Sequence, residues 1–421
     1  MSGASCSSSS DRRGQNPSSS VGLSAEFSGA GEEDCAAAAR SWCDEGKLLI
    51  PGLPNDLAIL CIARLPRGMF PLLRLVSSAW KRAVSSETFR LLRHQGGFLQ
   101  GWIYVLVESA TGAAFRAFDP DANRWYNMSP VPANISSETW QGFACVALDS
   151  KLILMGGARR IYNEATQQLG QVEVCGDVFI YDAFRNKWQR GPSLTTPRGW
   201  FAAAAIGDFV YVAGGQGRSC FLDSAEVLDY REKRWHQMPS MHCVRSSCRG
   251  TVLNGQFWVI AGEVVINNYG DHPQRASAEF FNPASKSWTL IPEMWLDSHK
   301  VPGPNTIFRE NLLVVHQSKL MRYDPELNEW DHIGHISTGK LYNRSSYRFG
   351  FALECLGDKL YVIGGRIESW QNRNRSSIQP VSTAEVCHLG TASNSKFTRW
   401  NSVADMKDSS GIILASATVL L

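Results

Sequence analysis

The chain has 421 residues, 44% of them hydrophobic and 19% charged, with 36 Gly and 14 Trp, which allows a large buried core and excludes a wholly disordered protein. A formal net charge of +3 with no long Lys/Arg run argues against a nucleic-acid footprint. The apolar stretch 412–421 is about half of the ~20 residues that a spanning helix needs.

The N-terminus lacks the apolar region of a secretory signal. Eleven cysteines contain no Cys-x-x-Cys pair, and Cys243 and Cys248, beside His242, have no second pair at zinc-site spacing. Reduced thiols in the cytoplasm, the nucleus or both are the expectation, with no metal and no cofactor.

Residues 1–46 are rich in Ser, Gly and Ala with almost no periodic hydrophobics, and read as a disordered tail. From 47 to 95 the pattern turns helical. Leu53, Leu57, Leu60, Cys61 and Leu65 fall at offsets that line one helix face, Pro54 suits the first helical position, and Pro66 and Gly68 stop the run. A second apolar set, Met69, Leu72, Leu73, Leu75 and Val76, leads on to Trp80, Val84, Phe89 and Leu92. Helices this short bury their stripes only against each other or a partner.

From 96 to 421 short β-type runs alternate with Gly, Pro, Asp and Asn. An Asp or Asn stands six residues before a Trp five times: Asp119 and Trp125, Asp182 and Trp188, Asp229 and Trp235, Asn282 and Trp288, Asp324 and Trp330. A sixth unit carries Trp400. Earlier in the better-kept units an apolar strand ends in paired glycines, Gly156-Gly157, Gly214-Gly215 and Gly364-Gly365. The glycines permit positive φ where the strand ends, and the Asp or Asn opens a turn by bonding its own backbone. Each unit is one four-stranded blade that must stack on others around an axis. The first unit lacks an innermost strand, and the tail from 411 reads as that strand, which would close a ring of six.

The lead Leu53-Pro54, then Arg64-Leu65-Pro66, then Val76-Ser77 with Trp80, resembles the F-box, and the six units resemble kelch motifs. In this order they are similar to plant-type F-box/kelch-repeat proteins. Ala79 departs from the basic residue usual before the Trp. The resemblance implies a small all-α F-box module followed by an all-β six-bladed kelch β-propeller closed by the C-terminal strand. It also implies the substrate-recognition role of a Skp-cullin-F-box ubiquitin ligase, with Leu53, Pro54, Leu57, Leu60, Leu65, Leu72, Leu75, Val76 and Trp80 on a Skp-type adaptor.

In that fold one face, made of the loops before the inner strands and the longer insertions, would hold a target protein, and a metabolic enzyme is one such target. Trp140, Arg159, Arg198, Trp200, Arg245, Arg249, Arg348, Arg366 and Trp370 are the candidates, since Arg and Trp are common interface anchors. Two other readings compete: a kelch scaffold with no ligase, and a kelch-type metalloenzyme. The nine His show no ligand-like spacing, and no phosphate-loop or Ser/His/Asp motif stands out, so the chain reads as a non-catalytic adaptor.

Overall fold

A computed structural model describes residues 48–109, 112–132, 140–163, 168–263, 276–297, 302–336, 346–372, 375–388, 399–406 and 409–421. The predicted tail, 1–46, lies outside the described residues, and so does the side chain of Trp370.

Among the described residues four short helices come first: α1 (Asn55–Ala63), α2 (Phe70–Val76), α3 (Ser78–Val84) and α4 (Glu87–Gln95), with a 3-10 turn at Arg67–Met69. Pro54 stands just before α1 rather than inside it. Ser77 and Ser86 cap α3 and α4 by accepting from the backbone N–H of Trp80 and Phe89, which satisfies donors that the helix itself leaves free.

The buried stripe of α1 is Ala58, Ile59, Ile62 and Ala63, packed on Phe70, Leu73, Val84, Phe89 and Leu92. The stripe predicted from Leu53 to Leu65 is therefore not the core one: Leu57 and Cys61 face outward, and Leu53, Leu60 and Leu65 are half-buried at its margin. Both sides of this helix are apolar, so periodicity alone does not separate the inner face from the outer.

The rest is mostly β. Among the described residues there are six four-stranded antiparallel sheets and two small three-stranded ones. The third sheet shows the pattern. Strands Ala202–Ile206, Phe209–Ala213, Ala225–Asp229 and Arg234–Met238 pair in chain order. Asp229 accepts from the N–H groups of Arg231 and Glu232, Lys233 takes positive φ, and the chain returns into the Trp235 strand. Asp119, Asn282 and Asp324 accept in the same way. The small sheets join a short segment ahead of an inner strand to two inserted strands: Trp140–Gln141 with Ala158–Asn163 and Gln168–Val174, and Ser346–Phe349 with Arg366–Asn372 and Arg375–Pro380.

The C-terminal strand Ile413–Leu420 pairs antiparallel with Gly101–Ser109, from Gly101 opposite Leu420 to Val107 opposite Ile413, and is the innermost strand of the first sheet. The innermost strands of the six sheets touch each other in cyclic order. Around the outside each repeat Trp donates its indole N–H to a carbonyl of the neighbouring unit: Trp188 to Ser129, Trp235 to Pro192, Trp288 to Pro239, Trp330 to Met294 and Trp400 to His335.

The helices are bolted to these sheets. Phe184, at the turn after the strand Val178–Asp182, enters the helical core edge-on to Phe70, with ring centroids 6.1 Å apart. Arg67 donates to the carbonyls of Ala183 and Phe184, and Arg74 also donates to Phe184. Arg93 gathers the carbonyls of Ala63, Leu65, Phe98 and Leu421.

Candidate interaction surfaces

The helical module closes its own core and still leaves large apolar side chains in water. Leu57 is 48% exposed, Leu72 57%, Val76 59% and Leu75 80%. Pro54 is exposed as well. Trp80 is half-buried, with its indole N–H bonded to the carbonyl of Leu49 at 2.7 Å, so its polar end is spent inside the module. Exposed hydrophobics grouped on two short helices mark a surface that a partner would cover.

The candidate target residues resolve into a repeated internal device. Arg198 is fully buried and donates to the carbonyls of Gly214 and Ser224 and to Glu226 at 2.8 Å. Arg245 does the same with Ala261, Ser277 and Glu279, and Arg348 with Gly364 and Glu385. Burial opposes ionisation of Glu226, but hydrogen bonds from Thr195 and Arg198 outweigh it and hold the carboxyl below its ordinary value. These three arginines pin the start of each inner strand to the glycine turn of the same sheet. They are corrected from target contacts to structural residues, because a guanidinium paired with its carboxylate and fully buried is out of reach of a target.

Trp140 is corrected in the same way. It takes the position of the arginine in the second sheet, is fully buried, and donates to the carbonyl of Gly156 at 2.9 Å. Phe179 stands where the other sheets put Glu and meets its ring edge-on at 5.9 Å. An aromatic pair here replaces an ion pair.

The remaining candidates lie at or near the surface. Arg159 lies 4.2 Å over the Trp140 ring and pairs with Asp177, and Arg366 pairs with Glu108 at 3.0 Å. Trp200 is half-buried and has φ +53, a left-handed backbone that the matching positions Gly142 and Gly350 reach without a side chain. Its ring covers Gly142, where a Cβ would stand 2.5 Å from it. Arg249 opens the inner strand of the fourth sheet, and among the described residues its guanidinium is tied only through Nε, to the carbonyl of Pro302 at 3.2 Å. The structure thus separates four buried residues from Arg159, Trp200, Arg249 and Arg366.

One cavity of about 380 Å³ is lined by residues of all six sheets, among them Phe143, Phe201, Arg249, Asn305, Glu354 and Ser416. It was not foreseen from the sequence. The signal available there was that Arg249 and Glu354 do not recur from repeat to repeat. Among the described residues no group of three His, Cys, Asp or Glu comes together.

Sheets of this pattern, among which glycine turns, Asx turns and Trp strands recur, define a kelch-type β-propeller carrying an N-terminal helical module. A family model described as Kelch motif matches residues 197–242. The chain is 29% identical over 352 residues to F-box/kelch-repeat protein At1g16250 of Arabidopsis thaliana, covering 81% of this chain and 89% of that one. F-box/kelch-repeat protein SKIP30, of the same plant, is 25% identical over 372 residues, 87% of this chain and 95% of the relative. F-box/kelch-repeat protein At1g67480 is 34% identical over 217 residues, 51% of this chain and 55% of the relative. The arrangement is similar to that of these plant F-box/kelch-repeat proteins.

Proposed function

We propose that the chain is the target-recognition subunit of a Skp-cullin-F-box ubiquitin ligase. Residues 47–95 are its F-box and dock on a Skp-type adaptor through Leu57, Leu72, Leu75 and Val76, with Leu53, Pro54 and Leu60 at the rim. Residues 96–421 are a six-bladed propeller closed by the C-terminal strand. The cyclic contacts of the inner strands support the ring. The target protein sits on the face that carries Arg159, Trp200 and Arg366, and the complex acts in the cytoplasm, the nucleus or both. The chain does no chemistry itself. It raises the local concentration of target lysines beside a loaded conjugating enzyme.

The observation that carries this reading is the apolar surface of α1 and α2, exposed on a module whose core is already complete. Co-purification of the intact chain with a recombinant plant Skp-type adaptor tests it. The double variant Leu57→Glu, Leu75→Glu is expected to lose the adaptor while its urea midpoint moves by less than about 0.5 kcal/mol equivalent per site, as surface changes do. Ile59→Ala, on the inner face of α1, is expected to destabilise by about 2–5 kcal/mol. A folded wild type that does not hold the adaptor overturns the ligase reading and leaves a kelch scaffold.

A further inference from the structure

Arg198, Arg245 and Arg348, which stand just ahead of inner strands, are each matched by a carboxylate of their own sheet. Two charges lining the axial cavity have no such match. Arg249, on the fourth sheet, has the Pro302 carbonyl and, among the described residues, no carboxylate within ion-pair distance. Glu354, on the sixth sheet, accepts from the hydroxyls of Ser416 at 2.6 Å and Thr418 at 2.9 Å and, among the described residues, meets no cation. The fifth sheet stands between them, and they do not pair with each other. Arg249 is exposed to the space of the cavity and Glu354 is half-buried; the protein around them pulls the Arg249 guanidinium down from its ordinary value and pushes the Glu354 carboxyl up, the latter partly opposed by the two hydroxyls.

A cavity holding one uncompensated cation and one uncompensated anion selects its occupant by charge. A simple anion would satisfy Arg249 and be repelled by Glu354, and a simple cation the reverse. A molecule carrying both charges, on a frame that spans the gap, satisfies the two together. The volume of about 380 Å³ lies within the range of small-molecule sites and excludes a folded partner. Phe143, Phe201 and Phe351 also line the cavity.

We propose that the axial cavity binds a small zwitterion of the amino-acid class, its carboxylate on Arg249 and its ammonium on Glu354. The site stands on the cavity and not on the ligase reading, since neither residue lies near the apolar face of α1 and α2.

The test is calorimetric titration of the intact chain with the ω-amino acids glycine, 4-aminobutyrate and 6-aminohexanoate, beside butyrate and butylammonium, which share a frame with one of them but carry a single charge. One amino acid is expected to bind about tenfold to a hundredfold tighter than either singly charged probe, the range for one added charge-assisted hydrogen bond. Its length reports the span between the two groups. Arg249→Gln and Glu354→Gln are each expected to remove that advantage while adaptor capture is kept. Equal binding of the amino acids and butyrate, or no binding by any probe to about 10 mM, overturns the site. Should either variant fail to fold, the wild-type comparison of amino acid with butyrate decides alone.

Discussion

The indole N–H of Trp125 donates to the carbonyl of Ala404 at 2.6 Å, across 279 positions of sequence. It is the counterpart, between the first sheet and the sixth, of the bond that every other repeat Trp makes to the unit before it. With the pairing of Gly101–Ser109 to Ile413–Leu420, it joins the two ends of the β domain twice: once at the rim and once at the axis.

These two fasteners differ in weight. Trp125→Phe removes one hydrogen bond and leaves the Ala404 carbonyl short of a partner, a loss of about 1–3 kcal/mol. Trp330→Phe, which strips the same bond from Met294 inside the chain's run of sheets, is expected to lose the same amount by urea unfolding. Deleting residues 411–421 instead uncovers the inner edge of Gly101–Ser109 along its whole length, and no cooperative unfolding transition is expected from that chain.

The buried pair Arg198 and Glu226 predicts a different signature. Arg198→Met leaves a buried carboxylate without its cation, at a cost of about 3–5 kcal/mol, whereas replacing both partners with apolar residues removes the desolvated charge and recovers most of that loss. Chemical denaturation of the two single variants and the double variant measures the coupling. A double variant as unstable as the sum of the singles would show that the pair acts through its carbonyl contacts alone.

The same carboxylate contributes to acid sensitivity. The folded value of Glu226 lies below its ordinary 4.5, so its contribution is fully present above 4.5 and is lost as the pH falls through the lower folded value. Stability measured from pH 5 downward is therefore expected to fall less steeply in Glu226→Gln than in the wild type, once the constant loss from the broken pair is subtracted. Parallel curves would mean that other carboxylates carry the acid response.

The turns were the most legible part of the molecule. An Asp six residues before a Trp fixes an Asx turn and a returning strand locally, and Asp229 and Trp235 need nothing from the rest of the chain to do so. The faces of α1 were harder, because Leu57 and Ile59 are equally apolar and periodicity alone cannot say which side a partner takes. The arginines misled for a related reason. Arg198, Arg245 and Arg348 each stand 16 residues before the carbonyl they hold, and so does Trp140 before Gly156. That constant spacing is the mark of a structural repeat. Their Glu partners lie 28 to 37 residues away, across insertions of different length, which hides the pairing in the sequence.

Arg67 yields the last prediction. It is buried beneath the helices and holds the carbonyls of Ala183 and Phe184, with its guanidinium 4.9 Å from the Phe70 ring and 5.6 Å from that of Phe184. Among the described residues no carboxylate lies within ion-pair distance, and burial lowers its pKa from the ordinary value, so the charge is retained against a desolvation cost. What it secures is the angle between the helical module and the second sheet. Arg67→Ala frees both carbonyls and opens a gap beside Phe184, so amide exchange is expected to speed up in residues 55–95 and around 183–186 while the third and fourth sheets keep their protection. Adaptor capture should survive, since Leu57, Leu72 and Leu75 are untouched. Ubiquitin transfer to a bound target should slow by more than capture does, because a target on a loosened propeller spends less time facing the conjugating enzyme. Equal losses in capture and transfer would assign Arg67 to the module's own folding and not to its orientation.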